Sequence, residues 1–96
     1  MLQAAQNAEN SLATRYSCAF DALYLYALAI LGAPKDLQSH PYPEMLSEGA
    51  ARLGISPQAI EPVLERMNQS YGPLEAPEEE VIALIALAQK ARSNSG

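Results

Sequence analysis

Three side chains in this 96-residue chain could act together on a phosphate or a labile proton: Arg66, Tyr71 and His40. An arginine offers a planar fork of donors that suits phosphate oxygens. His40 is the only histidine and titrates near neutral pH, so it is the natural proton carrier. Tyr71 can hydrogen-bond or stack, but a phenol near pKa 10 is a poor base at pH 7. The plainer readings are a surface Arg66 pairing with Glu65 or near Glu61, a helix-end Tyr71 packing its ring, and a loop-fixing His40 between prolines.

Other reactive types are less promising. Cys18 stands alone in the most apolar stretch, where a buried, inert thiol is expected. The chain can form no internal disulfide and has no zinc-type cysteine spacing. Glu78, Glu79 and Glu80 invite a metal, yet first-turn carboxylates are what a helix N-terminus favours. Arg15 is placed to pair with Asp21 or Glu9 on the helix surface, and Asp21, lone in an apolar run, could instead meet a cation across an interface. There is no Gly-rich phosphate loop and no Ser–His–Asp order. No metal and no cofactor is expected.

The elements that must position these residues read as helices. Alanine is abundant, tryptophan absent and aromatics few, which suits closely packed helices better than alternating strands. Leu2, Ala5, Ala8 or Glu9, and Leu12 give a weak stripe, broken where Asn10 and Ser11 are good N-caps. From Leu12 to Leu31 runs the strongest helical pattern. Leu12, Tyr16, Ala19, Leu23, Tyr26 and Ile30 form one stripe; Phe20, Tyr24, Leu28 and Leu31 form another. A helix apolar on two sides needs two partner surfaces. It is therefore a central helix or also a dimer seam, and the Phe20/Tyr24/Leu28 face is expected to be buried only in an assembly.

Gly32 ends this helix in the left-handed position. The proline-rich stretch 33–43 reads as an ordered loop, and Pro43 opens a short helix closed by Gly54. Met45, Leu46, Ala50 and Leu53 are its inward residues. Ser56-Pro57 starts the next element, and Ile60, Val63, Leu64 and Met67 form its stripe. Pro62 predicts a one-turn lead-in with the main helix restarting near Glu61. Gly72-Pro73 stops it. Pro77 opens the last helix, with Val81, Leu84, Ile85 and Ala88 inward, and residues 93–96 are expected to fray.

Length allows one domain spanning 1–96. The net charge of −5 and the pI near 4.6 argue against a dedicated nucleic-acid binder, whose affinity rests on neutralising phosphates. The longest apolar run is about half of the ~20 residues that span a bilayer, so no membrane association is expected. The first ten residues lack a basic n-region and an apolar h-region, and a cytoplasmic location is the expectation.

Four segments in order resemble the HEPN domains. They are Arg15-Tyr16 with Ala19-Phe20-Asp21-Ala22 and the alternating Ala27–Gly32 tail; Ser39-His40-Pro41; Leu64–Tyr71; and the acidic start and apolar stripe from Pro77. The resemblance spans about residues 11–92, and at Ser39-His40-Pro41 it is to relatives of the bacterial toxin–antitoxin type, which often carry a Gly-His segment before the third helix. It implies an all-α, up-and-down four- to five-helix bundle, frequent homodimers, and RNA cleavage in active members. In those members an Arg and a His of both protomers meet at the dimer interface. Here Met67 stands at the motif's polar position and Tyr71 at its His. Metal-free RNA cleavage needs a proton acceptor and a donor near neutral pH, so the departure implies weakened or lost chemistry. The expectation is a non-catalytic interaction protein in a toxin–antitoxin or defence setting, binding a partner protein (antitoxin-like) or a nucleotide-like ligand. The alternative is a metal-independent endoribonuclease acting on RNA through Arg66 with Tyr71 or His40.

Overall fold

The long apolar segment forms α2 (Leu12–Leu31), and the rest of the described chain is arranged around it. The structure, a computed structural model, describes residues 2–32, 43–67 and 76–94. Within them the chain is all-helical: α1 (Leu2–Gln6), α2, α3 (Pro43–Arg52), α4 (Pro57–Met67) and α5 (Glu78–Asn94). No helix among the described residues is long and apolar enough to cross a membrane.

The helix ends follow their local chemistry. Ser11 sits in an extended conformation and its Oγ accepts the Thr14 amide at 3.1 Å, satisfying one of the orphan donors of α2. Gly32 closes α2 at φ 67°. Gly54 (φ 81°) closes α3, with the Ile55 amide bonded back to the Ala50 carbonyl and that of Gly54 to Ala51. This is the paired-bond ending that a glycine in the left-handed region permits. Pro43 and Pro57 occupy first helical positions, and Ser56 Oγ accepts the Ala59 amide.

Three boundaries differ from the sequence reading. α1 stops at Gln6 rather than continuing toward Asn10, and of its stripe Ala5 is fully buried while Ala8, Glu9 and Leu12 are exposed. Asn10 Nδ2 and Arg15 Nε take the Ala4 and Ala5 carbonyls, both at 2.9 Å, and these bonds end the helix early. α4 is one continuous helix across Pro62, not a lead-in and a restart. The proline deprives only the Gln58 carbonyl of a helical donor, and both residues are exposed to water. Ser93 and Asn94 belong to α5 instead of a frayed tail, because Asn94 Nδ2 donates to the Leu53 carbonyl at 2.6 Å.

α2 packs against α1, α3 and α5; α3 also meets α4, and α1 meets α5. One apolar cluster runs through all five helices, from Ala5 through Leu23, Leu46 and Val63 to Leu84 and Ala91. Val81, Leu84, Ile85 and Ala88 are buried as the α5 stripe requires. Tyr24 and Leu28 are buried within the single chain, with Phe20 half-buried and stacked on Tyr24. The second stripe of α2 therefore finds its partners inside the fold. Its burial does not depend on an assembly, which corrects the expectation for the Phe20/Tyr24/Leu28 face.

Candidate functional site at the groove between α4 and α5

Arg66 belongs to the inward side of α4, one turn beyond Val63 and Ile60. The residue is 9% exposed, where a surface arginine was the plain alternative. Burying a guanidinium demands a partner. The partner is Glu80 in the first turn of α5: Arg66 Nε donates to Glu80 Oε2 at 2.6 Å. The guanidinium carbon also lies 5.8 Å from the ring centroid of Tyr16 on α2, within cation–π range. Three helices thus meet at one charged cluster.

The environment acts on Tyr16 most strongly. Its phenol is held up at about 12: burial raises it most, the Arg66 cation pulls it partly back, and the Glu80 carboxylate adds a smaller rise. Tyr16 is accordingly a neutral phenol across the physiological range. The guanidinium gives its Nε–H to a carboxylate oxygen. This cluster offers a fixed cation, a carboxylate holding it, and a phenol that does not ionise near neutral pH. Among the described residues it includes no proton carrier of the histidine kind.

The middle of α4 and the first half of α5 line a groove of about 180 Å³, with Glu79 and Glu80 from the first turn of α5 among its lining. Its floor is Val63, Leu84 and Tyr16, all buried. Its walls are the exposed Ala59 and Pro62 of α4 and Ala83 of α5, with Leu87 half-buried. Glu79 and Glu80 are its polar residues besides the Tyr16 hydroxyl.

Of the three candidates read from the sequence, Arg66 is placed in this cluster, while His40 and Tyr71 lie outside the described residues. Met67 is half-buried against the core. Arg15 holds the Ala5 carbonyl rather than Asp21 or Glu9. Asp21 is exposed, with partial desolvation raising its carboxyl above the usual value. Cys18 is a free, half-buried thiol packed on the core. No group of three or more His, Cys, Asp or Glu able to hold a metal exists among the described residues.

Sequence reasoning missed Glu80 and Tyr16 as partners of Arg66. One signal was present: Ile60, Val63 and Arg66 share helical spacing, which places the arginine on the apolar stripe. Comparison with protein-family models, with characterised proteins and with solved structures gives no match to this chain.

Proposed function

We propose that this chain is a non-catalytic helical interaction protein of HEPN-like type, with a degenerate ribonuclease motif, that acts in a toxin–antitoxin or defence setting by binding a partner protein. The observation that carries the reading is the buried Arg66–Glu80 pair. An arginine that grips a phosphate must present its donors to an incoming anion. Here Nε is taken by a carboxylate, and Glu79 lies beside it on the same helical turn. A second anion would have to share the guanidinium with Glu80 and tolerate the charge of Glu79, both costly in a partly desolvated setting. An acidic chain that binds by apolar contact suits a protein partner better than RNA or a nucleotide-like ligand. Homodimerisation, implied by the same resemblance, would have to use a surface other than the Tyr24/Leu28 face.

The test is induction of the wild-type chain in a bacterial host beside Arg66→Ala, with growth and RNA integrity as readouts. Normal growth and intact RNA in both are expected. Growth arrest with RNA cleavage that Arg66→Ala abolishes, while the variant's circular dichroism shows it folded, would overturn the reading in favour of the ribonuclease.

A further inference from the structure

We infer that the groove between α4 and α5 is the docking surface for a partner protein's amphipathic helix that carries an apolar ridge flanked by Lys or Arg. This deepens the interaction reading above and rests on it.

Three observations point to that occupant. First, the groove walls are apolar yet open to solvent: Ala59, Pro62 and Ala83 are exposed above a buried floor of Val63, Leu84 and Tyr16. Small side chains on both walls let another backbone come close, as helix packing at short interaxial distance requires. Second, the α5 wall is one continuous face. Glu79 and Glu80, Ala83 and Leu84, and Leu87 recur at spacings of three and four, spanning about two turns, or ~12 Å at 1.5 Å per residue. Both walls are helices whose backbone groups bond internally, so there is no strand edge for an extended peptide to join. A helix, whose side chains at i, i+3 or i+4, and i+7 project as a ridge, matches such a groove.

Third, the charge is complementary to a base. Glu79 is exposed on the groove wall and makes no ion pair among the described residues, while Arg66 on the opposite helix is engaged by Glu80. The groove mouth is left with a net negative charge in a chain of net charge −5. A Lys or Arg beside the partner's apolar ridge would meet Glu79, and an acidic partner would be repelled.

The test uses the full chain to select from a displayed library of helical peptides, with Glu79→Lys and Ala83→Trp as comparison proteins. The wild type is expected to enrich peptides with an apolar i, i+3/i+4, i+7 ridge and a Lys or Arg. Ala83→Trp, which fills the groove from an exposed position, should bind the enriched peptides at least about tenfold more weakly. Glu79→Lys should weaken the basic peptides about three- to fivefold, the scale of an exposed ion pair, and enrich acidic ones in its own selection. The Glu79→Lys arm decides the matter alone if Ala83→Trp fails to fold. No enrichment, enriched peptides indifferent to both substitutions, or extended peptides without a ridge would overturn the docking surface. If RNA stays intact on induction, that failure leaves the interaction reading standing; RNA cleavage on induction would remove the reading itself.

Discussion

Gly49 of α3 and Ala27 of α2 lie so close that a Cβ on Gly49 would stand 2.5 Å from the Ala27 Cβ and 2.7 Å from its Cα. The obstruction includes backbone, so no rotamer change can relieve it. Glycine in the middle of a helix ordinarily costs about 1 kcal/mol against alanine. Here the contact reverses that sign. Gly49→Ala should destabilise the fold by about 1–2 kcal/mol net, since overpacking against backbone lies at the upper end of the usual cost of about 1–3 kcal/mol and the propensity gain offsets part of it. Chemical denaturation read by circular dichroism checks it. A variant as stable as the wild type would mean that α2 and α3 are farther apart than described.

The Arg66–Glu80 pair should behave as a structural pair. Arg66→Ala leaves a carboxylate without its cation and should cost about 1–3 kcal/mol. That is less than the 3–5 kcal/mol typical of fully buried pairs, because the Glu80 side chain is 34% exposed and partly screened. Joint replacement, Arg66→Met with Glu80→Leu, should recover most of the loss, since apolar residues of similar volume often substitute for buried ion pairs. A double-mutant cycle in denaturant measures the coupling. A coupling near zero would show that the two side chains do not meet.

Tyr16 gives the fold an alkaline limit. Its phenol is raised from 10 to about 12 in the folded chain, so unfolding releases a proton between those values. The folded state then binds more protons than the unfolded state, and stability falls as pH rises. The contribution is fully present below pH 10 and is lost progressively as pH approaches about 12. Two pH units correspond to about 2–3 kcal/mol. Tyr16→Phe removes this dependence, so the difference between wild-type and variant stability should shrink by that amount across the window. Parallel slopes for the two proteins from pH 10 to 12 would contradict a buried Tyr16.

Much of the architecture was legible because its signals are local. Ser11, Gly32, Pro43, Gly54 and Pro57 act on their own backbone or on neighbours within one turn, and each is found where its chemistry places it. The apolar stripe of α5 is equally local. What escaped depends on distant partners. Arg15 reaches back to the Ala5 carbonyl, and Asn94 reaches Leu53, 41 residues away. Neither bond has a spacing signature. Arg66 was recognised as a candidate but not as buried, because its counter-charge arrives on another helix. Glu80, read only as a favourable first-turn carboxylate, has both roles: it stands in the first turn of α5 and neutralises α4. The two faces of α2 were recognised, but periodicity alone does not say whether the second is covered by the same chain or by another.

The N-terminal helix supplies the last test. Five residues are far too few for a stable isolated helix, since nucleation costs more than one turn returns. α1 is held instead by side chains from outside it. Asn10 Nδ2 binds the Ala4 carbonyl, Arg15 Nε binds the Ala5 carbonyl, and the Ala5 side chain is fully buried. Arg15→Ala should therefore cost about 1–2 kcal/mol, the scale of a hydrogen bond from a charged donor. Asn10→Ala should cost about 1 kcal/mol. Their combined effect should fall short of the sum, because once α1 has detached the second bond has nothing left to hold. Hydrogen exchange gives the local readout: the amides of Gln6 and Asn7, in the last turn of α1, should lose protection in either variant while those of α5 beyond Val81 keep theirs. Uniform loss along the whole chain would mean that α1 unfolds only with the rest, and that the two bonds stabilise the fold as a unit.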